Sequence, residues 1–397
     1  MATERIKLFV DAHCFDKEFQ GTQTFLRELY TQLLADYPDV DIYFGASNTK
    51  TIRSIFPDLP EANILPYKKR KFGLLRFLFD IPFYLKKHRF DFAHFQYIIP
   101  KKIPGCTYIV TLHDVIFKDF KKDFSFIYRL SRDILFGYSI RNAAIKTTVS
   151  VYSKERICHH YGICRTDVHV IPNAVNPAFV HSQDTKKEAA GLIKRKFGVE
   201  NFILYTSRLE PRKNQLLLLE KYLKLGLDKQ GIALVLIGLE SIRTPALTKL
   251  IKQLSTEQKK LFFRFEELPQ SDLVAFYRAC RLFVYPSKAE GFGIPPLEAG
   301  VCGAPVLCSS STAMHDFDFF KPYTFDSANE RDFEQKLAHI LNFPPTNSFS
   351  TGVAAQIQHR YNWQKSSHHF YSLLRANSYK QTEYEIEDSH FGYSRNP

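Results

Sequence analysis

Residues 282–310 read LFVYPSKAEGFGIPPLEAGVCGAPVLCSS. The apolar run Leu282 to Tyr285 reads as a strand, and a short loop then carries the chain to Glu290, Gly291, Phe292, Gly293 and Ile294. Pro295 and Pro296 open a helix, a place where proline is tolerated because the first N–H groups have no helical partner. Glu298 falls within the first turn of that helix. Glycines let a backbone approach a ligand closely, and a helix N-terminus favours an anion such as a diphosphate. Glu290 and Glu298 bracket the loop. Carboxylates accept hydrogen bonds from hydroxyls, so the pair suits a polyhydroxylated ligand, with a sugar at one glutamate and a ribose at the other. Another strand-like run, Pro305 to Cys308, follows the helix, and the segment as a whole is strand, loop, helix, strand.

The same alternation extends outward in both directions. Strand-like runs upstream in the second half are Phe202 to Thr206, Ala233 to Ile237 and Leu261 to Phe265. In the first half they are Ile6 to Val10, Val40 to Phe44, Phe92 to Phe95, Thr107 to Thr111, Ile145 to Val149 and Val168 to Ile171. Helical stretches lie between them. In residues 21–36, for example, Phe25, Leu26, Leu29, Leu33 and Leu34 form one apolar face. Repeated strand–helix alternation means parallel sheets covered by helices on both faces. The chain has 397 residues, more than one core usually serves. The expected fold is therefore α/β, with two Rossmann-like doubly wound parallel-sheet domains facing a cleft. A polar break at 173–188 separates the halves. The expected division is 1–180, 181–360, a closing helix 361–378 and a polar tail 379–397. Ligands bind at the carboxyl ends of such strands, so the residues that follow each strand are the ones to inspect.

Composition narrows the class. Hydrophobic residues are 45% and charged residues 24% of the chain, the mix of an ordinary globular protein. The formal net charge of +13 suits nucleic acid, an anionic membrane or a phosphorylated substrate. The seven cysteines are scattered and form no CxxC pair, which argues for buried thiols in a reducing compartment over a metal ribbon. The first residues, MATERIKLFVDAH, read as a strand and lack the apolar core of a secretory signal. No apolar run is long enough to span a bilayer. A cytoplasmic location is expected.

Residues 202–219, FILYTSRLEPRKNQLLLL, place Arg208 and Lys213 after a strand, with Lys213 opening a helix behind Pro211. Two fixed cations there can neutralise a diphosphate leaving group, the arginine bidentately and the lysine as a point charge. Residues 11–29, DAHCFDKEFQGTQTFLREL, hold one glycine, Gly21, at the start of a helix. Residues 108–117, YIVTLHDVIF, put His113 and Asp114 at the carboxyl end of a strand. With Glu290 and Glu298 at its two ends, the stretch around 290–298 resembles the E-x7-E signature of family 4 retaining glycosyltransferases, which have the GT-B fold. The segments at 202–219, 170–179 (VIPNAVNPAF), 265–280 (FEELPQSDLVAFYRAC) and 361–374 (YNWQKSSHHFYSLL) resemble further parts of that family, and the likeness is looser over the first 110 residues. Ser207 stands where the family often has glycine, and Ala174 likewise.

The resemblance implies a hexosyltransferase that moves a sugar from a nucleotide-diphosphate sugar with retention of configuration. The acceptor would be a glycan or a lipid-linked glycan in cell-surface polysaccharide or glycolipid assembly. It implies that Glu298 holds ribose and that Arg208 and Lys213 hold the diphosphate. Glu290 and the amides of Gly291, Phe292, Gly293 and Ile294 would hold the sugar, and backbone near Leu268 the base. Gly21 would reach the donor phosphates and His113 the transferred sugar, as a closing helix returns to the first domain. Replacing Glu290 by alanine is expected to abolish transfer with the fold intact. No metal or other cofactor is expected, because Arg208 and Lys213 supply the charge a metal would. The tripeptides Asp39-Val40-Asp41 and Asp316-Phe317-Asp318 match the D-x-D metal pattern without its strand context. Residues 66–90 mix basic with aromatic side chains and suit peripheral contact with an anionic membrane, or a core helix with a solvated basic face. An epimerase or a phosphorylase on the same fold, and a basic nucleic-acid-binding protein, are the rival readings. No nucleic-acid module is visible, and no nucleic-acid partner is expected.

Overall fold

The structure is a computed structural model that describes residues 5–16, 21–70, 73–181 and 185–390. It divides into two compact units. The first comprises residues 1–118, 124–173 and 363–397, and the second 119–123 and 174–362.

The first unit is built on a seven-stranded parallel sheet: β1 (Ile6–Asp11), β2 (Val40–Ala46), β3 (Ile64–Pro66), β4 (Phe92–Gln96), β5 (Thr107–Thr111), β6 (Ile145–Thr148) and β7 (Val168–Val170). Their order is β3-β2-β1-β4-β5-β6-β7. Ile6 pairs with Val40 and Leu8 with Phe92, so the chain order reverses beside β1. Such a reversal opens a crevice at the carboxyl ends of the strands. Side chains alternate between the two faces along each strand. Phe9, Ala93, Phe95, Tyr108 and Val110 pack on one face against Phe77, Ile81, Leu85, Phe136, Ile140, Ile157 and Tyr161, all in one buried cluster. Those partners come from the short 3-10 turn Gly73–Phe77 and the helices Asp80–His88, Phe126–Asn142 and Val151–Tyr161. On the other face lies the helix Gly21–Asp36, with Phe25, Leu26, Leu29 and Leu33 buried as its periodicity predicts. The last helix, Trp363–His390, packs beside it. Trp363, Phe370 and Leu374 are buried there. Tyr371 donates to Asp39 (2.6 Å) and Ser366 to the carbonyl of Pro172 (2.8 Å). The helix runs to His390, past residue 378 where the sequence suggested that a polar tail begins, and residues 391–397 lie outside the described residues.

The second unit holds a six-stranded parallel sheet: β8 (Phe202–Thr206), β9 (Ala233–Ile237), β10 (Phe262–Phe265), β11 (Leu282–Tyr285), β12 (Val306–Ser309) and β13 (Thr324–Phe325). The order β10-β9-β8-β11-β12-β13 repeats the reversal, now beside β8. Its first long helix, Lys186–Phe197, starts with a capping box of Thr185 and Glu188 and ends at Gly198 in the left-handed conformation, the usual chemistry for both ends. Two strands were not legible in the sequence, β3 and β13. With three and two residues, they are too short to display a period, and the sheet edge alone draws them into register.

The cysteine expectation needs correction. All seven thiols are free, but Cys164 is exposed and Cys106 half-buried.

Candidate active site

The carboxyl ends of β8 and β11 carry the residues singled out in the second half. After β11, a loop leads to Glu290, which is only 7% exposed, and Lys213, 8% exposed, meets it there. Lys213 Nζ lies 2.6 Å from Glu290 Oε1. The Tyr285 hydroxyl donates to the same oxygen (2.9 Å) and accepts from Lys213 Nζ (3.2 Å). Three groups therefore close a triangle. The other carboxylate oxygen, Oε2, lies 3.5 Å from Arg212 Nη1. Burial alone would raise the Glu290 carboxyl, but Lys213 and Arg212 overcome it and hold it at about 2. Burial lowers the Lys213 ammonium against the pull of the same carboxylate. The two stay an ion pair. An ammonium has three N–H groups, and among the described residues two are committed, to Glu290 and Tyr285.

The backbone around Glu290 is also held. Its N–H donates to Thr312 Oγ1 (2.8 Å), and Arg212 donates to the carbonyl of Ala289. Thr312 sits at φ 56°, a left-handed conformation that is costly for a β-branched residue and that the surrounding structure must enforce. Gly293, at φ 97°, caps the helix Ile294–Val301 without a side-chain cap bond. Of the first three residues of that helix only Ile294 carries an N–H, because Pro295 and Pro296 have none.

Glu298 stands on a separate chain of bonds. Tyr277, on the helix Gln270–Ala279, donates to Glu298 Oε2 (2.8 Å). Thr206 at the end of β8 lies 2.5 Å from the same tyrosine oxygen. Burial pushes the Glu298 carboxyl up to about 7. The two glutamates of one signature thus sit in different environments, Glu290 held ionised inside a cation cluster and Glu298 pushed upward by burial beside a tyrosine hydroxyl.

The placement of Lys213 corrects the sequence reading. It does not open a helix. Pro211–Lys213 is a single 3-10 turn, Asn214 follows in the left-handed conformation, and the helix begins at Gln215. The irregular turn aims the lysine at Glu290. Arg208 is half-buried just after β8, and its carbonyl accepts from Gln215 Nε2 (2.8 Å). Leu268 lies half-buried before the helix Gln270–Ala279. Phe292 is buried, while Gly291 and Ile294 are half-buried. The structure brings Glu290 and Lys213 into direct contact and gives Glu298 its own partners.

In the first unit, His113 follows β5 and is 7% exposed. Its Nε2 lies 2.7 Å from Gln96 Oε1, and Phe25 meets the ring edge-on at 5.0 Å between centroids. Burial holds it neutral, with its pKa down at about 3. Gly21 is exposed at the first position of its helix, and the preceding loop, 17–20, lies outside the described residues.

Sequence reasoning missed Tyr285, Tyr277, Arg212, Thr312 and Gln96. Both tyrosines sit among apolar neighbours and read as core. Arg212 and Thr312 act through backbone conformations that no spacing reveals. The D-x-D tripeptides are engaged elsewhere: Asp39 with Tyr371 and Arg375, Asp41 with Arg5, and Asp318 with Arg360.

Comparison with known proteins agrees with this geometry. Residues 19–179 match the family model described as Glycosyltransferase Family 4, and residues 189–347 match Glycosyl transferases group 1. O-antigen chain mannosyltransferase B of Escherichia coli is 36% identical over 124 residues, 31% of this chain and 32% of that protein. A serotype-specific mannosyltransferase, WbdA, of the same organism is 29% identical over 49% of this chain and 24% of that protein. The chain thus spans about a quarter to a third of the length of these curated relatives. O-antigen chain mannosyltransferase RfbU of Salmonella typhimurium is 26% identical over 59% of this chain and 61% of that protein. Among solved structures, sucrose-phosphate synthase from Thermosynechococcus elongatus superposes with a TM-score of 0.71 at 15% identity, covering 95% of this chain and 100% of that one. HepE from Anabaena in complex with UDP gives 0.69 at 15% identity, covering 94% and 100%. The structural matches establish the fold. The two family models, one on each half, meet the glutamate pair and the cation turn in the second half, and the chain belongs to the family 4 glycosyltransferases.

Proposed function

We propose that this protein transfers a hexose from a nucleotide-diphosphate sugar to an acceptor glycan in cell-surface polysaccharide or glycolipid assembly, with retention of configuration and without a metal. The observation that carries this reading is the buried triangle of Lys213, Glu290 and Tyr285 beside an uncapped helix N-terminus. A carboxylate held ionised at that depth suits the hydroxyls of a sugar. Lys213, Arg208 and the amides at 292–294 suit the phosphates, whose charge grows as the glycosidic bond breaks. Glu298 is assigned to the ribose and backbone near Leu268 to the base. In the first unit, Gly21 is assigned to the donor phosphates and His113 to the transferred sugar. The mannosyltransferase names of the relatives support a hexose and a glycan acceptor. The cations Arg208 and Lys213 do the work that a divalent ion does in D-x-D enzymes.

Peripheral contact with an anionic membrane is part of the same proposal. Among the described residues, no helix is long and apolar enough to cross a membrane. Residues 66–90 supply exposed Phe79 and Phe83 beside Lys68, Lys69, Lys86 and Lys87, while Phe77 is buried, Arg76 turns inward to Asp11 (3.1 Å) and Lys71 and Phe72 lie outside the described residues.

A thermal-shift series with UDP, GDP, ADP and TDP, each with and without EDTA, tests the donor site. One nucleotide is expected to raise Tm selectively and to do so equally in EDTA, because a ligand bound only to the folded form stabilises it by mass action. Stabilisation that EDTA abolishes would overturn the metal-free assignment.

A further inference from the structure

Six polar side chains are buried together in the first unit at the carboxyl ends of β4, β5 and β6: Tyr30, His94, Gln96, Thr111, His113 and Thr147. Their hydrogen bonds have a direction that can be worked out. The Tyr30 hydroxyl is fully buried, and its partner among the described residues is His94 Nδ1, at 2.6 Å. It donates there, or its proton is left buried and unpaired. His94 Nδ1 is therefore bare. Burial holds His94 neutral, with its pKa at about 3, so its single ring proton is on Nε2. That N–H faces Thr111 Oγ1 at 2.7 Å. At the far end, Thr147 Oγ1 lies 3.2 Å from the Val110 carbonyl, which can only accept. Thr147 donates to it, Thr111 donates to Thr147 (2.6 Å), and Thr111 accepts from His94. From Tyr30 to Val110 every proton runs one way.

Gln96 lies between the two histidines. One end of its amide is 3.1 Å from His94 Nε2 and the other 2.7 Å from His113 Nε2. The end at His94 faces an N–H and must be the carbonyl oxygen. The amide as placed has its nitrogen there, and a half-turn about its last bond exchanges oxygen and nitrogen without altering the packing. The NH2 group then faces His113 Nε2, which accepts. A neutral His113 carries its proton on Nδ1, and that atom has no hydrogen-bond partner among the described residues. The opposite proton order strands the Tyr30 proton, because His94 Nδ1–H would then point at it.

We propose that Gln96 is a positioning residue that holds His113 in the Nδ1–H form, so that this histidine offers the substrate a hydrogen-bond donor and not a base. Its ligand is an oxygen that accepts, such as a hydroxyl or ring oxygen of a sugar. The substrate half of the proposal rests on the assignment of His113 to the transferred sugar; the tautomer does not.

Histidine-selective 15N labelling of the full chain, with His113→Asn and His94→Asn used to assign signals, reads the tautomers directly. The wild-type protein at neutral pH is expected to show His113 with a protonated, pyrrole-type Nδ1 and a bare Nε2, and His94 with the reverse. A His113 protonated on Nε2 overturns the proposal, with no variant needed. In Gln96→Glu the carboxylate can only accept, so the His113 proton is expected to move to Nε2. Gln96→Leu, which removes the tie, is expected to give a mixture. Transfer by Gln96→Glu is expected to fall roughly tenfold or more in kcat/KM, the worth of a hydrogen bond in a binding site. If the tautomer reverses and transfer is unchanged, Gln96 controls His113 as proposed and the assignment of His113 to the sugar falls.

Discussion

Glu290 and Lys213 are 7% and 8% exposed, and a charge at that depth depends on its partner. Breaking a buried pair from one side leaves an uncompensated ion and costs about 3–5 kcal/mol. Glu290→Ala is therefore expected to lower stability by about 3 kcal/mol, seen in denaturant unfolding, as well as to abolish transfer. The fold itself is expected to persist, with a smaller margin of stability. Adding Lys213→Met to that variant is expected to recover most of the stability and none of the activity. Glu290→Gln keeps the shape and a hydrogen bond to Lys213 and is the better variant for activity alone. If Glu290→Ala unfolds at the wild-type denaturant midpoint, the ion pair is not the structural element described above.

At the scale of elements, the turn after β8 is positioned by its neighbour after β9. Ser207 N donates to the Ile237 carbonyl (3.0 Å) and Leu209 N to the Leu239 carbonyl (2.8 Å). Between those bonds sits Gly238, at φ 147°, where an added Cβ would lie 2.0 Å from the Ser207 carbonyl oxygen. Only glycine fits both the dihedral and the space. Gly238→Ala must push the Ser207–Arg208 turn outward. It is expected to cost on the order of 3 kcal/mol, read from urea unfolding, and to weaken the nucleotide-induced rise in Tm. A variant within about 0.5 kcal/mol of wild type, the range of an ordinary surface change, would show that the turn has room. Gly300 is a second tight place, 2.5 Å from Ile357 Cδ1 on the same test, but its neighbour there is the tip of a side chain that can shift.

Across the whole molecule, the exposed large hydrophobic side chains are unevenly placed. Among the described residues, all but Ile242 and Phe343 lie between residues 74 and 151. They belong to elements that cover one face of the first unit's sheet. Phe126, Leu130, Ile134 and Tyr138 recur every fourth residue along the helix Phe126–Asn142 and form one outward stripe. Cations accompany the rings: Arg70 lies 4.7 Å from Phe79, Lys87 5.8 Å from Phe83 and Arg129 5.7 Å from Phe126. Apolar anchors among basic groups match an anionic lipid surface, where each lysine or arginine near the surface contributes about 1 kcal/mol. Sedimentation with phosphatidylserine-containing vesicles is expected to capture the protein at low salt, with weaker capture by phosphatidylcholine alone. Phe79→Ser combined with Phe83→Ser is expected to weaken capture severalfold, and Phe126→Ser with Ile127→Ser likewise. Equal capture of the quadruple variant would remove the membrane from the proposal.

Periodicity, turn chemistry and the order of strands are local properties. For that reason the strand–helix alternation, the parallel sheets, Arg208 and His113 just after strands, and Glu290 in the loop before a helix that carries Glu298 were legible in the sequence, whereas the turn that holds Lys213 was not. The apolar face of residues 21–36 was legible for the same reason, since helix spacing alone selects Phe25, Leu26, Leu29, Leu33 and Leu34, of which only Leu34 is half-buried. Pairings between residues distant in the chain are not local. Tyr285 and Tyr277 looked like core aromatics because ring and hydroxyl are written with one letter, and only packing shows that the ring fills the core while the hydroxyl holds a glutamate. The opposite shifts of the Glu290 and Glu298 carboxyls, one downward and one upward, follow from what surrounds each of them, not from the spacing between them. Gln96 could not be tied to His113, because the bond joins the ends of two adjacent strands and exists only once β4 and β5 are in register. The sequence by itself determined which chemical groups reach the edges of the sheets; the tertiary structure decided which of them touch, because burial and hydrogen-bond geometry arise only when the strands are side by side.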